Sequence, residues 1–157
     1  MPVVHMVSGF LGAGKTTFAK QLEASLLAVR FSPDEWMVTL YGHDPPEREF
    51  ADHLARIFQI TNDTWPKVTR VGVDVVLDFG FWTRLARDQA RGLAAALGVT
   101  TRLYAVQCAE ETARTRCLQR NSDLRGSLLI TAETFDTLRP RFEPLAADEP
   151  HEVIVTD

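Results

Sequence analysis

The sequence predicts an α/β fold in which a mostly parallel sheet is covered by helices on both faces. Segments with strand character alternate with segments of helical periodicity along the chain. Residues 73–77 are almost continuously apolar, which is typical of a parallel strand covered on both faces. The length of 157 residues suits one domain with one hydrophobic core, so we expect residues 1–157 to form a single domain.

Short segments rich in β-branched and aromatic residues are predicted to be strands. In chain order they are 3–7, 28–31, 73–77, 102–107 and 152–155. Helices are predicted where apolar residues recur at helical spacing. They cover residues 15–27, 46–60, 63–71, 83–97, 110–120 and 131–138, and residues 121–127 are expected to form a loop.

Composition excludes several classes of protein. The chain is 45% hydrophobic and 24% charged, which is unlike a disordered or low-complexity chain. Its net charge of −4 argues against general binding to duplex nucleic acid, whose affinity comes mainly from basic residues. Two cysteines and no apolar leader predict a soluble, cytoplasmic protein without a disulfide framework or membrane segment.

A glycine-rich motif lies directly after the first predicted strand and before the first predicted helix. It reads GFLGAGKT over residues 9–16 and matches G-x-x-x-x-G-K-[ST]. In this context, glycines and the helix start present backbone N–H groups to phosphate oxygens, and Lys15 reaches the β- and γ-phosphates. The Thr16 hydroxyl is a predicted Mg²⁺ ligand. The predicted nucleotide-binding residues here are Gly9, Gly12, Ala13, Gly14, Lys15, Thr16 and Thr17.

With this motif, the chain resembles the P-loop kinases of the AAA_33 type, which are similar to polynucleotide 5′-kinase domains, zeta-toxin kinases and chloramphenicol phosphotransferases. The resemblance rests on residues 9–17, 31–36, 75–84 and 114–125. It implies a three-layer P-loop NTPase fold with about five parallel strands. It also implies a short, arginine-rich lid over residues 114–127.

Two acidic residues are candidates for the chemistry. Asp34 follows the second predicted strand, where a kinase needs a carboxylate to accept or orient the acceptor proton. The resemblance assigns that role to Asp34, with Glu35 as a neighbour able to replace it. The same segment also has the features of a helix start capped by Ser32. Asp78 ends the predicted central strand and is expected to hold Mg²⁺ with Thr16 or to orient the acceptor, so the identity of the base stays open between Asp34 and Asp78.

Arginines supply the remaining candidates. Arg116 and Arg120 are four residues apart at a predicted helix end, and the resemblance implies that one stacks on the base and the other reaches the transferred phosphate. Arg120 is the first choice for a catalytic arginine, ahead of Arg116, Arg125 and Arg114. Arg84, just beyond Asp78, is a further catalytic candidate, although it could equally pair with Asp88 on an exposed helix face.

The predicted activity is ATP- and Mg²⁺-dependent transfer of the γ-phosphoryl group to a hydroxyl group. The guanine-specific N-K-x-D motif is absent, which disfavours a GTPase, although the phosphate loop does not distinguish ATP from GTP. A small metabolite or antibiotic is the first expectation for the acceptor, with residues 41–66 capping its pocket. The alternatives are a nucleic acid 5′-hydroxyl and a regulatory nucleotide-binding module, and a homo-oligomer could complete the short lid.

Overall fold

The computed structural model describes residues 1–157. All strand pairs are parallel, and the five strands lie in the order β2-β3-β1-β4-β5. The strands are β1 (Val3–Ser8), β2 (Val29–Phe31), β3 (Val75–Gly80), β4 (Thr100–Gln107) and β5 (Glu152–Val155). This parallel sheet confirms the predicted α/β fold class.

Six α-helices connect and cover the strands. They are α1 (Lys15–Leu26), α2 (Pro33–Tyr41), α3 (Glu47–Arg70), α4 (Arg84–Ala96), α5 (Glu110–Gln119) and α6 (Ala132–Leu138). Short 3₁₀ turns follow α5 at Arg120–Ser122 and α6 at Arg139–Arg141. No helix combines the length and the apolar character that crossing a membrane requires.

The two faces of the sheet have separate cores. Leu77 of β3 packs with Trp65 of α3 and Ala94 of α4 on one face. Val76 of β3 packs with Ala19 of α1 on the other face. Successive strand residues point to opposite faces, so the near-continuous apolar run of β3 supplies both cores. The result is a sheet between two helical layers, as predicted.

The prediction of two helices over residues 46–60 and 63–71 is wrong, because α3 is one continuous helix. Ile57, Thr61 and Trp65 are all buried and are spaced four residues apart, so a single helix face packs against the sheet. Pro66 lies inside the helix and lacks the N–H group that would bond one turn back. Tertiary packing of the buried face outweighs that local cost.

Two further differences concern the carboxyl ends of β2 and β3. The segment after β2 forms a full helix, α2, with the Ser32 hydroxyl accepting a hydrogen bond from the N–H of Glu35 at 3.4 Å. The helix-start interpretation of this segment is therefore confirmed. Strand β3 continues to Gly80, so Asp78 lies inside the strand instead of ending it.

Candidate active site

The phosphate loop joins β1 to α1, the context that the motif requires. Gly14 has φ +94° and is the N-cap residue of α1. Gly12 has φ +74°, and a Cβ atom there would lie 2.0 Å from the carbonyl oxygen of Ala113. Positive φ and this close approach to α5 both require glycine. The spacing of glycines in the motif is thus explained by the backbone geometry of the loop.

Backbone N–H groups at the start of α1 face no carbonyl partner. Ala13 donates to the carbonyl of Phe10 and Phe18 donates to that of Gly14, whereas the N–H groups of Lys15, Thr16 and Thr17 make no backbone hydrogen bond. These free N–H groups belong to the first turn of a helix, where the helix dipole also favours an anion. The N–H groups of Lys15, Thr16 and Thr17 can therefore serve as a cradle for an anion, whereas those of Gly9 and Ala13 are already bonded to carbonyl groups.

The Lys15 side chain extends towards the carboxyl end of β3. Its Cε atom lies 3.4 Å from the position that a Cβ atom on Gly80 would take. Lys15 makes no ion pair within 4.0 Å, unlike Lys20, whose Nζ lies 3.5 Å from Glu35. An ammonium group without a carboxylate partner beside an anion cradle is available to a phosphate.

Thr16 and Asp78 form the centre of the site. The Thr16 hydroxyl donates to Oδ2 of Asp78 at 2.9 Å. Asp78 is 4% exposed, and its Oδ1 atom is buried without a hydrogen-bond partner. Burial raises the pKa of the Asp78 carboxyl, while the nearby charge of Lys15 and the bond from Thr16 act in the opposite direction. A buried carboxylate oxygen without a partner is costly unless a bound group satisfies it.

These residues fit a magnesium ion. Mg²⁺ is bound in phosphoryl-transfer sites by one or two protein oxygens together with phosphates and water, so a cluster of three or more acidic ligands is not needed. The hydroxyl of Thr16 and the unpartnered Oδ1 of Asp78 are oxygen donors of this kind, next to the anion cradle. Thr16 and Asp78 are thus the residues that would hold the ion.

Asp34 lies in the first turn of α2 and is exposed. Its carboxylate makes no hydrogen bond or ion pair within the protein, yet its charge is close enough to contribute to raising the pKa of Asp78. Glu35, its neighbour, is engaged by Arg30 at 2.9 Å and by Lys20 at 3.5 Å. Of the two candidate carboxylates on α2, Asp34 is therefore the one that is free to meet an acceptor.

Arg30 is a site residue that sequence reasoning missed. Its guanidinium donates to Glu23 at 3.0 Å and to Glu35 at 2.9 Å, and its NH1 atom lies 3.6 Å from Oδ2 of Asp78. The side chain is 11% exposed, and NH1 has no hydrogen-bond partner. Arg30 thus connects α1, α2 and β3 around Asp78. The only signal in the sequence was a basic residue inside the short β2 strand.

The lid arginines differ in whether their guanidinium groups are paired with a carboxylate. Arg114 pairs with Asp136 at 3.1 Å and Arg125 pairs with Asp123 at 3.0 Å. Arg120 is exposed and makes no hydrogen bond or ion pair within the protein. The structure therefore leaves Arg120 as the lid arginine with a free guanidinium at the end of α5.

Arg116 contacts the phosphate loop through Thr156. The Arg116 guanidinium donates to the Thr156 hydroxyl at 3.0 Å and to its backbone carbonyl. The same hydroxyl donates to the carbonyl of Ala13 at 2.5 Å. A Cβ atom on Gly14 would lie 3.2 Å from the Thr156 side chain. Arg116 thus lies beside the loop, held by Thr156, the residue that follows β5.

The lid lies against the segment predicted to cap the acceptor. Leu129 donates its N–H to the carbonyl of His43 at 2.8 Å, and Nδ1 of His43 lies 2.7 Å from the carbonyl oxygen of Ser127. A Cβ atom on Gly126 would lie 3.6 Å from the Glu35 side chain. These contacts join the lid and the residues directly after it to α2 and to the loop that follows α2.

Arg84, in contrast, belongs to a separate ion-pair cluster. Its guanidinium pairs with Asp148 at 2.9 Å and with Asp88 at 3.2 Å. Nearby, Arg87 and Glu149 form a buried pair at 2.8 Å. The structure therefore places the Arg84 guanidinium between two carboxylates, and its catalytic role stays a prediction. The alternative predicted from the sequence, in which Arg84 pairs with Asp88 on the helix surface, is present in the structure.

Comparisons with known proteins agree with this fold. The family model described as "AAA domain", AAA_33, matches residues 4–145. No curated protein matches the sequence significantly.

Three solved structures illustrate the structural similarity. A kinase candidate from Chloroflexus aurantiacus has a TM-score of 0.77 at 19% identity, with 98% of this chain and 84% of that chain covered. Kti12 from Chaetomium thermophilum in complex with ADP-AlF3 has a TM-score of 0.63 at 19% identity, covering 99% and 90%. A gluconokinase from Sinorhizobium meliloti has a TM-score of 0.58 at 16% identity, covering 98% and 81%.

At these identities the similarity shows the fold alone and leaves activity and substrates undefined. The family model covers most of the chain, including the phosphate loop, Asp34, Asp78 and the lid. The protein therefore belongs to the AAA_33 family.

Proposed function

We propose that this protein is an ATP- and Mg²⁺-dependent kinase that phosphorylates a hydroxyl group of a small molecule. The observation that carries the proposal is the arrangement around Asp78. Thr16 bonds to this buried carboxylate, while Lys15 and Asp34 lie near enough for their charges to act on its pKa. A phosphate cradle, a metal-binding pair and a free carboxylate thus adjoin one another, as phosphoryl transfer to an acceptor requires.

ATP would bind along the phosphate loop. The free N–H groups of Lys15, Thr16 and Thr17 would donate to phosphate oxygens, and the Lys15 ammonium would contact the β- and γ-phosphates. Arg116 lies beside the loop near Gly14 and would contact the nucleotide there. Thr16 and Asp78 would hold Mg²⁺, which supplies positive charge to the phosphate oxygens when bound.

Transfer would proceed by displacement at the γ-phosphorus. The acceptor oxygen forms a bond to this phosphorus while the bond to the β,γ-bridging oxygen breaks, so ADP leaves. The hydroxyl proton passes to the Asp34 carboxylate, which is free of partners in the protein. Arg120 would compensate the negative charge that develops on the transferred group, since its guanidinium has no carboxylate partner.

A small acceptor is favoured over a nucleic acid by the charge of the lid. Of the four arginines in the segment 114–125, Arg114 and Arg125 are each paired with an aspartate, and Arg116 is bonded to Thr156 beside the loop. Arg120 is the one that makes no contact of this kind. A 5′-hydroxyl kinase acting on nucleic acid needs several free cations along the strand. Next to the lid, the contact with the cap is one backbone hydrogen bond, from the N–H of Leu129 to the carbonyl of His43.

The test is acceptor-dependent ADP formation. Protein, ATP and Mg²⁺ are incubated with separate panels of sugars, nucleosides, aromatic alcohols and 5′-hydroxyl oligonucleotides, and ADP and the phosphorylated product are both measured. The proposal expects one small hydroxyl compound to accelerate ADP formation with one phosphorylated product per ADP. Labelling of the oligonucleotide alone would favour the nucleic acid kinase. Slow ADP formation that no acceptor accelerates would favour a regulatory nucleotide-binding module.

A further inference from the structure

A cavity of about 560 Å³ lies between α3, α4 and the carboxyl end of β3. Its volume is within the range of pockets that bind small molecules. Phe58 and Asn62 contribute from α3, and Ala86, Gln89 and Leu93 contribute from α4. Seven of its ten lining residues are hydrophobic. The nucleotide-binding residues described above do not line this cavity, so the proposed ATP site leaves it unassigned.

Aromatic side chains form the wall of the cavity on the β3 side. Phe58 meets Phe79 edge to face, with ring centroids 5.0 Å apart and planes at 89°. Phe79 meets Phe81 at 5.3 Å with an interplanar angle of 33°. Trp82 lies in the same wall. Aromatic rings in such offset and edge-to-face arrangements favour a further flat ring as ligand.

The polar groups of the cavity are uncharged. Asn62 accepts a hydrogen bond from Nε1 of Trp65 at 3.2 Å, which orients its amide and leaves Nδ2 available as a donor. Gln89 is exposed and has no hydrogen-bond partner in the protein. No lysine, arginine, histidine or acidic residue lines the cavity. A charged ligand would lose hydration there without gaining an ion pair, whereas a neutral ligand with one or two polar groups would not.

The cavity adjoins the phosphate loop through Trp82. Nε1 of Trp82 donates to the carbonyl of Gly9, the first residue of the loop, at 3.3 Å. A Cβ atom on Gly80 would lie 3.1 Å from the same Nε1 atom and 3.4 Å from Cε of Lys15. The aromatic wall therefore contacts the phosphate loop directly, and Gly80 lies between Trp82 and the side chain of Lys15.

We infer that this cavity, defined by the wall of Phe58, Phe79, Phe81 and Trp82 and the amides of Asn62 and Gln89, binds the uncharged aromatic ring of the phosphoryl acceptor. This inference rests on the proposed kinase function and narrows its acceptor to a neutral aryl compound with an aliphatic hydroxyl group. Sugar acids and sugar phosphates are excluded by the uncharged lining.

The test uses 1-phenyl-1,2-ethanediol as a neutral aryl probe and gluconate as a charged, non-aromatic probe. Binding of each to the protein with ADP and Mg²⁺ is measured by saturation-transfer NMR, and ADP formation from ATP is measured in parallel. Ala86→Leu fills the cavity, and Ala95→Leu makes the same change at an exposed position of the same helix. Gln89→Trp, at an exposed position, obstructs the cavity without altering the core and serves if Ala86→Leu does not fold.

The inference expects the aryl diol to bind, with the dissociation constant raised about tenfold or more by Ala86→Leu or Gln89→Trp and unchanged by Ala95→Leu. It also expects the diol, and not gluconate, to accelerate ADP formation. Binding that the cavity variants leave unchanged would overturn the inference. Acceleration by gluconate alone would overturn it while the kinase function stands. Cavity-dependent binding of the diol with no accelerating compound in any panel would overturn both the acceptor assignment and the kinase function.

Discussion

The hydroxyl of Thr16 donates to Oδ2 of Asp78 across 2.9 Å, although 62 residues separate them in the chain. Thr16 lies in the first turn of α1, and Asp78 lies in β3, the direct neighbour of β1 in the sheet. Parallel pairing brings the carboxyl ends of β1 and β3 to the same edge, where the phosphate loop also starts. The bond therefore joins the predicted nucleotide site to the strand beside it.

Replacing Asp78 should stabilise the ligand-free protein but weaken its binding of Mg²⁺ and ATP. Burial raises the pKa of this carboxyl, which means that the ionised form is disfavoured in the fold. The free energy of unfolding should therefore fall as the pH rises from the unfolded-state pKa of this carboxyl to its raised folded-state pKa. Asp78→Asn is expected to raise the free energy of unfolding of the ligand-free protein by about 1 kcal/mol at pH 7 and to weaken the thermal stabilisation by Mg²⁺ and ATP.

Thermal denaturation with and without Mg²⁺ and ATP measures both effects. Asp52→Asn, an exposed change on α3, is the matched control and should alter neither. Equal stabilisation of Asp78→Asn and the wild type by Mg²⁺ and ATP would remove Asp78 from the metal site.

Lys15 should be needed for ATP binding and turnover. Its ammonium has no carboxylate partner, and its side chain extends towards Gly80 at the carboxyl end of β3. Lys15→Met is expected to lower kcat/KM by about 100-fold or more, measured as ADP formation with an accepted acceptor. Lys67→Met removes an exposed lysine of α3 and should leave kcat/KM unchanged. Similar kinetics for the two variants would contradict the assignment of Lys15 to the phosphates.

Arg120 should act on transfer more than on binding. Its guanidinium is free at the end of α5, whereas Arg114 on the same helix is paired with Asp136 at 3.1 Å. Arg120→Ala is expected to lower kcat by about 10²–10³-fold with a smaller change in KM for ATP. Arg114→Ala serves as the comparison and should lower kcat far less. A loss of equal size in both variants would indicate that lid packing, and not the Arg120 charge, is responsible.

The Arg87–Glu149 pair should govern stability in acid. Arg87 lowers the pKa of Glu149 to about 2 from its ordinary 4.5. Because the folded-state pKa is lowered, the stabilisation is complete above about pH 4.5 and is lost as the pH falls towards about 2. Glu149→Gln is expected to cost about 3–5 kcal/mol at pH 7, since it leaves the buried Arg87 charge without its partner.

Urea denaturation between pH 7 and pH 2.5 tests this expectation. The free energy of unfolding should decline more steeply in acid for the wild type than for Glu149→Gln. Glu47→Gln makes the same change at an exposed position of α3 and should follow the wild type. Parallel pH profiles for wild type and Glu149→Gln would show that this pair does not control acid stability.

Local sequence patterns predicted the parallel sheet and the phosphate loop because their causes are local. Gly12 and Gly14 have positive φ, which glycine adopts readily, so the motif predicts the turn of the loop. The apolar run of β3 predicts a strand that is buried on both faces. The continuity of α3 through Pro66 could not be predicted in this way, since it depends on Trp65 and its neighbours packing against the sheet. Tertiary contacts there override a local helix-breaking signal.

The ion pairs formed by arginines in the fold could not be predicted from the sequence. Arg84 and Arg120 look alike in the sequence, but Arg84 meets Asp148 from a distant loop whereas Arg120 meets no carboxylate. Arg30 was overlooked because its partners Glu23 and Glu35 come together with it only in the fold. Which charge is free for a ligand is therefore decided by residues far apart in the chain.

Transfer of labelled phosphate from ATP to an accepted hydroxyl compound, in wild type and Asp34→Asn, tests the kinase proposal most directly. The wild type is expected to form one phosphorylated acceptor for each ADP. Asp34→Asn is expected to bind ATP normally and to transfer about 10²–10⁴-fold more slowly, while Asp52→Asn transfers at the wild-type rate. Transfer at an unchanged rate by Asp34→Asn would contradict the role of Asp34, and ADP formed without phosphorylated acceptor would contradict the kinase itself.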